Sequence, residues 1–138
     1  MDRVATIADG VVYDDAKKTL SDGWSRKDGV LSAFWLRCPN GRQWEVKTRF
    51  FSTNVLVLTD PDEEHSYVLV NEGRGIRTVF DVHRPGYELA RIIREDSLGR
   101  SIFGVYAREG ILNTGCEDWL IAAALATWSV DGPRQIHI

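Results

Sequence analysis

The sequence predicts an α+β, mostly β fold: an antiparallel β-barrel of about nine or ten short strands enclosing a hydrophobic C-terminal helix. Three observations predict it. From residue 30 onward, short alternating runs are separated by turn residues at hairpin spacing. Near the C-terminus, "GCEDWLIAAALATWSVDGP" (115–133) has no charged residue between Trp119 and Trp128. Finally, 138 residues with 43% hydrophobic and 27% charged side chains suit one domain, 1–138, built round one core.

The elements follow in order. Before residue 30 the pattern supports roughly two or three weaker strands. "AFWLRCPNGRQWEVKTRF" then places Asn40-Gly41 between two alternating runs, a strong hairpin signal. Phe34, Leu36 and Cys38 share one face of the first run, opposite Ala33, Trp35 and Arg37. Trp44, Val46, Thr48 and Phe50 share one face of the second, opposite Glu45, Lys47 and Arg49. One face lines a core and the other meets water.

"NVLVLTDPDEEHSYVLV" puts an acidic loop between two β-branched runs. "IRTVFDVHRPGYELARII" turns at Pro85-Gly86, where Pro at i+1 and Gly at i+2 suit a type II turn. "YELARIIREDSLGRSIFGVYAR" turns again at Ser97–Gly99. There, Leu89, Arg91 and Ile93 alternate less cleanly with Ala90, Ile92 and Arg94.

The final helix is predicted at about 115–130 from four alanines, a Thr114–Glu117 capping box and the Gly132-Pro133 stop. It is apolar on every side, with Thr127 its one polar side chain between Trp119 and Trp128. At roughly 24 Å it is too short to span a membrane, and it lacks the polar face of an interfacial helix. A sheet curled round it covers it best; a partner over its outer face would leave a large apolar patch on the monomer. A filled interior also argues against a lipocalin-like carrier. "VDGPRQIHI" reads equally as a tail or as a last edge strand.

The net charge of −3 argues against general nucleic-acid binding. The N-terminus lacks an apolar signal-peptide stretch, so Cys38 and Cys116 are expected reduced and buried. The expected location is cytoplasmic, peripheral to membranes or nuclear. No catalytic signature is present: there is no H-E-x-x-H, C-x-x-C, G-x-S-x-G or phosphate loop. "EGRGIRT" begins like a dinucleotide fingerprint, but Thr78 stands where the third glycine belongs, and a turn at Gly73–Gly75 is the better reading. Asp60, Asp62, Glu63 and Glu64 beside His65 offer oxygen ligands, yet a charged hairpin loop is far more often solvated. His83 could pair with Asp81 or Glu88. No metal, cofactor or enzymatic activity is expected.

Charge is distributed unevenly. Residues 26–49 carry six basic side chains against two acidic ones. Arg37, Lys47 and Arg49 fall on the outer strand faces, Arg26 and Lys27 in the loop just before, with Trp24 and Trp35 interleaved. Cations among aromatics suit an anionic headgroup or phosphorylated ligand. Arg26, Lys27, Arg37, Lys47 and Arg49 are therefore the candidate binding residues, weighed against an ordinary solvated face.

A barrel around a hydrophobic C-terminal helix resembles the tubby-like fold of tubby C-terminal domains, LURP-one-related proteins and phospholipid scramblases. "CPNGRQWEVKT" followed by "NVLVLTD" looks like the turn and strands of small fungal tubby-like domains of unknown function. "GYELARIIRE" and "EDWLIAAALATWSV" resemble a LURP-one-like strand and final core helix. The resemblance covers most of residues 30–131. It implies phosphoinositide binding through basic residues on the barrel surface, as tubby domains do, with no binding residue matched by position. The expected function is a non-enzymatic intracellular binding module for anionic lipid headgroups or another anionic ligand. The alternative is a protein-interaction or scaffold domain without a small ligand.

Overall fold

The computed structural model describes residues 1–14, 19, 24–29, 33–38, 41–49, 52–60, 62, 65–108 and 117–132. The strands are β1 (Asp2–Ala8), β2 (Val11–Asp14), β3 (Ser25–Asp28), β4 (Ala33–Arg37), β5 (Gln43–Arg49), β6 (Ser52–Asp60), β7 (His65–Gly73), β8 (Ile76–Asp81), β9 (Glu88–Arg94) and β10 (Ile102–Ala107). The helix α1 spans Glu117–Asp131. All strands join one antiparallel sheet in the order β2-β1-β10-β9-β8-β7-β6-β5-β4-β3. Phe50, the Thr114–Glu117 capping box, Cys116 and the alternating tail 133–138 lie outside the described residues or side chains.

Local chemistry accounts for the hairpins. The main-chain N–H of Tyr87 donates to the Arg84 carbonyl at 3.1 Å across Pro85-Gly86, and Gly86 has φ 87°, as the type II turn requires. At the next turn Leu98 and Gly99 both have positive φ, 50° and 76°, a type I′ pattern whose twist matches that of the strands it joins. β7 ends at Gly73, and Arg74 and Gly75, both at positive φ, make the turn after it.

Alternation sends one residue in two inward. Leu36, Val46, Leu56, Leu58, Leu69, Val79, Ile92 and Val105 are all fully buried. Against them lies α1, whose Ala122, Ala123, Ala126 and Leu125 have no exposed surface and whose Ala124 has 1%. Five successive buried positions go more than once round a helix, so the sheet covers every side of it. Alanine makes this possible by keeping the helix thin. Thr127 stays buried because its hydroxyl donates to the Ala123 carbonyl one turn back, at 2.9 Å. Trp119 stacks on Tyr67 at 5.0 Å, and Trp128 meets Phe103 edge-on at 6.1 Å.

The sheet does not close into the expected barrel. Its hydrogen-bond ladder ends at β2 on one side and β3 on the other. Side chains fill the seam instead. Trp24, just before β3, donates its indole N–H to the carbonyl of Gly10 in the β1–β2 turn at 2.5 Å. A Cβ on Gly10 would lie 3.1 Å from the Trp128 indole nitrogen, so the glycine lets the core helix pack against that turn. The short β3 edge carries Arg26, Lys27 and Asp28, charges that discourage pairing with another chain.

Charged residues from the sheet finish both ends of α1. No basic residue lies in its own last turn. Arg26 donates to the Ser129 carbonyl at 3.0 Å, and Arg94 donates to the Asp131 and Gly132 carbonyls. Inward-facing Arg77 grips the Asp131 carboxylate through Nε and Nη2 at 2.8 and 2.7 Å. These guanidiniums satisfy carbonyls that the helix leaves open and oppose its negative end. At the other end, Arg42 meets Asp118 in the first turn at 3.1 Å and also pairs with buried Asp60.

Candidate functional site

The outer face of β3, β4 and β5 carries the candidate site. Strand register builds it in two rows: Ser25 faces Arg37, which faces Gln43, and Lys27 faces Trp35, which faces Glu45. Directly opposed side chains on neighbouring strands stand about 5 Å apart, so these rows form one surface. Ser25, Lys27, Trp35, Arg37 and Gln43 line a groove of about 400 Å³. Its back wall depends on Gly29. A Cβ there would come within 2.2 Å of the Trp35 ring, so any other residue would displace the indole. Sequence reasoning missed this glycine, although its place two residues beyond a basic pair was a usable signal.

The five predicted cations do not line one groove. Lys27 and Arg37 line the groove and have no hydrogen-bond or ion-pair partner among the described residues. Lys47 is exposed on the same face but pairs with Glu45 at 3.3 Å. Arg49 is exposed beyond it, beside an irregularity in the β5–β6 ladder. Arg26 is a correction. It belongs to strand β3, not to a loop, and faces the opposite way from Lys27. Its guanidinium lies 4.0 Å from the centre of the Phe34 ring and bonds Asp28 and the helix end. It holds the end of α1 and does not line the groove with Lys27 and Arg37. Trp24, tied to Gly10 across the seam, is likewise structural.

The residues considered for chemistry are otherwise engaged. Cys38 is buried on the inner face, and burial, with the nearby Asp118 carboxylate, pushes its thiol up to about 11 despite Arg42. Against the ordinary thiol value of 9.0, that leaves roughly a hundred-fold less thiolate near pH 8. In a Cys116→Ser background, iodoacetamide is expected to label Cys38 about that much more slowly in the folded protein than after denaturation. Equal rates would place the thiol at the surface. His65, not His83, presents its ring to the Asp81 carboxylate, at 3.1 Å; His83 reaches Asp81 through its main-chain N–H. No group of three histidine, cysteine or acidic side chains among the described residues could hold a metal ion. Likewise, among the described residues no helix is long and apolar enough to cross a membrane.

Comparisons of the chain with family models, with curated proteins and with solved structures find no match.

Proposed function

We propose that this chain is a non-enzymatic binding module that takes an anionic ligand, foremost the headgroup of an acidic membrane lipid, on the outer face of β3–β5. One observation carries the reading: Lys27 and Arg37, unpaired among the described residues, flank Trp35 in a groove. Unspent cations beside an indole offer charge, hydrogen bonds and an apolar shelf together. Lys47 and Arg49 extend the positive surface along β5. A helix-filled interior and a buried, protonated Cys38 support a surface role over an internal cavity or thiol chemistry. The curled sheet around an apolar C-terminal helix supports a tubby-like ancestry, with the open β2/β3 seam as the departure from a closed barrel.

The test is co-sedimentation with vesicles rich in acidic lipid, at low and physiological salt. The wild type is expected to bind at low salt and lose affinity as screening shortens the reach of its charges. At about 1 kcal/mol per basic side chain near an acidic surface, Lys27→Ser with Arg37→Ser should cost roughly thirty-fold. Lys47→Ser with Arg49→Ser should also weaken binding while barely changing stability, since both side chains face outward. Binding that ignores both salt and these substitutions would overturn the proposal.

A second reading, a protein-interaction domain, has its own observation. Val57, Val68 and Phe80 form an outward row across β6, β7 and β8, with Val55 and Val70 beside it, all partly exposed. An apolar outer row is unusual on a solvated sheet face and suits a protein surface. Vesicle binding that fails at both salts would favour it.

A further inference from the structure

A second groove, of about 600 Å³, lies on the outer surface at β9 and β10, three strands away from the first. Its walls include Tyr87, Glu88, Arg91, Ile93, Tyr106 and Arg108. Most arginines on this surface are spent on carboxylates, as Arg3 is on Glu95 and Arg100 on Asp9. Arg84 and Arg108 are not. Their guanidiniums lie over the Tyr87 ring, 4.2 and 4.5 Å from its centre. The Arg84 side chain has no hydrogen-bond partner among the described residues. Among the described residues Arg108 spends only Nε, on the Glu88 carbonyl, and keeps both terminal nitrogens. Arg91 gives Nε and Nη2 to the Glu88 carboxylate and keeps Nη1.

The Tyr87 ring therefore orients two guanidiniums that keep free donors among the described residues, which lowers the ordering cost of gripping an oxyanion. Arg91 and Arg108 line the groove and Arg84 stands beside it over the Tyr87 ring, against the carboxylates of Glu88 and, acting on Arg91, Glu72, so the local charge still favours an anion. Beside them the Ile93 side chain and the Tyr106 ring give an apolar shelf. Tyr106 holds its hydroxyl toward Glu95 at 2.9 Å, and Arg3 neutralises Glu95, so that carboxylate does not repel an incoming anion.

We propose that this groove is a separate ligand site for a phosphate monoester of a molecule that also carries a planar ring. The phosphate is held by Arg108 and the spare Arg91 nitrogen, with Arg84 adding its charge from beside the groove over the Tyr87 ring, and the planar ring rests on Tyr106 and Ile93. The shared chemistry fits a nucleoside monophosphate or an aryl phosphate such as a phosphorylated tyrosine.

Calorimetric titration at fixed ionic strength tests it, using phenyl phosphate, adenosine monophosphate, inorganic phosphate and phenol. At least one monoester should bind roughly ten-fold more tightly than inorganic phosphate, and phenol not measurably. Which monoester binds better distinguishes the two sources. Arg84→Gln, in an exposed turn, should weaken that binding roughly ten-fold, and Arg84→Gln with Arg108→Gln roughly a hundred-fold. Lys27→Ser with Arg37→Ser should leave it unchanged. Monoesters that bind no better than inorganic phosphate would overturn the proposal, as would a loss that follows Lys27 and Arg37 in place of Arg84 and Arg108.

Discussion

Ala123→Asp is expected to abolish cooperative folding. Ala123 has no exposed surface, and its neighbours Ala122, Ala124 and Leu125 are equally enclosed, so no rotation of the helix brings the new side chain to water. The Ala123 carbonyl already accepts the Thr127 hydroxyl, and as an acceptor it offers a carboxylate nothing. The carboxylate must then stay buried unpaired, take up a proton, or force the helix out of the sheet. Each route costs several kcal/mol, comparable with the whole stability of a domain of this size. Ala123→Gly is the control: it removes one methyl and some helix propensity, at about 1 kcal/mol plus a small packing loss, and should leave a folded protein. Denaturant unfolding followed by near-ultraviolet circular dichroism separates the two. An Asp variant with near-native stability would mean that one side of α1 reaches solvent.

The enclosed helix and the hairpins were legible because their causes are local. An all-apolar segment announces burial by itself, and Pro85-Gly86 fixes its turn within four residues. Closure of the sheet was not legible. It depends on whether β2 and β3, brought together only by the finished curl, meet in register, and no short stretch records that. The indoles of Trp24 and Trp128 fill the gap, a long-range packing solution with no sequence period. The site was half legible for a related reason. Strand alternation assigned Arg37, Lys47 and Arg49 to the outer face. Placing Arg26 and Lys27 in a loop discards the alternation that separates them. Once Ser25–Asp28 is a strand paired with β4, Arg26 faces Leu36 on the inner side and Lys27 faces Trp35 on the outer. The Tyr87 groove was invisible for a third reason: it joins the β8–β9 turn to the end of β10, which only the fold brings together.

Asp131→Ala is expected to destabilise the domain by about 3–5 kcal/mol, far more than its partly exposed position suggests. The reason is Arg77. Its side chain is 1% exposed, and its charge is matched chiefly by the two Asp131 oxygens at 2.7 and 2.8 Å, with the Thr53 carbonyl accepting at 3.0 Å. Without Asp131, a buried guanidinium keeps one good carbonyl partner and loses its counter-charge. Arginine cannot escape by giving up its proton. Asp131→Ala together with Arg77→Met should recover most of the loss, because a flexible apolar side chain fills similar space and no charge remains to be matched. The double variant should therefore be more stable than Asp131→Ala alone, a sign reversal that simple loss of contacts cannot produce. Arg77→Met by itself should be milder than Asp131→Ala, since Asp131 is partly exposed and water can reach it. Chemical denaturation of the four proteins closes the cycle. A double variant no better than Asp131→Ala would mean that Arg77 packs this end of the curled sheet through its shape, with the ion pair incidental.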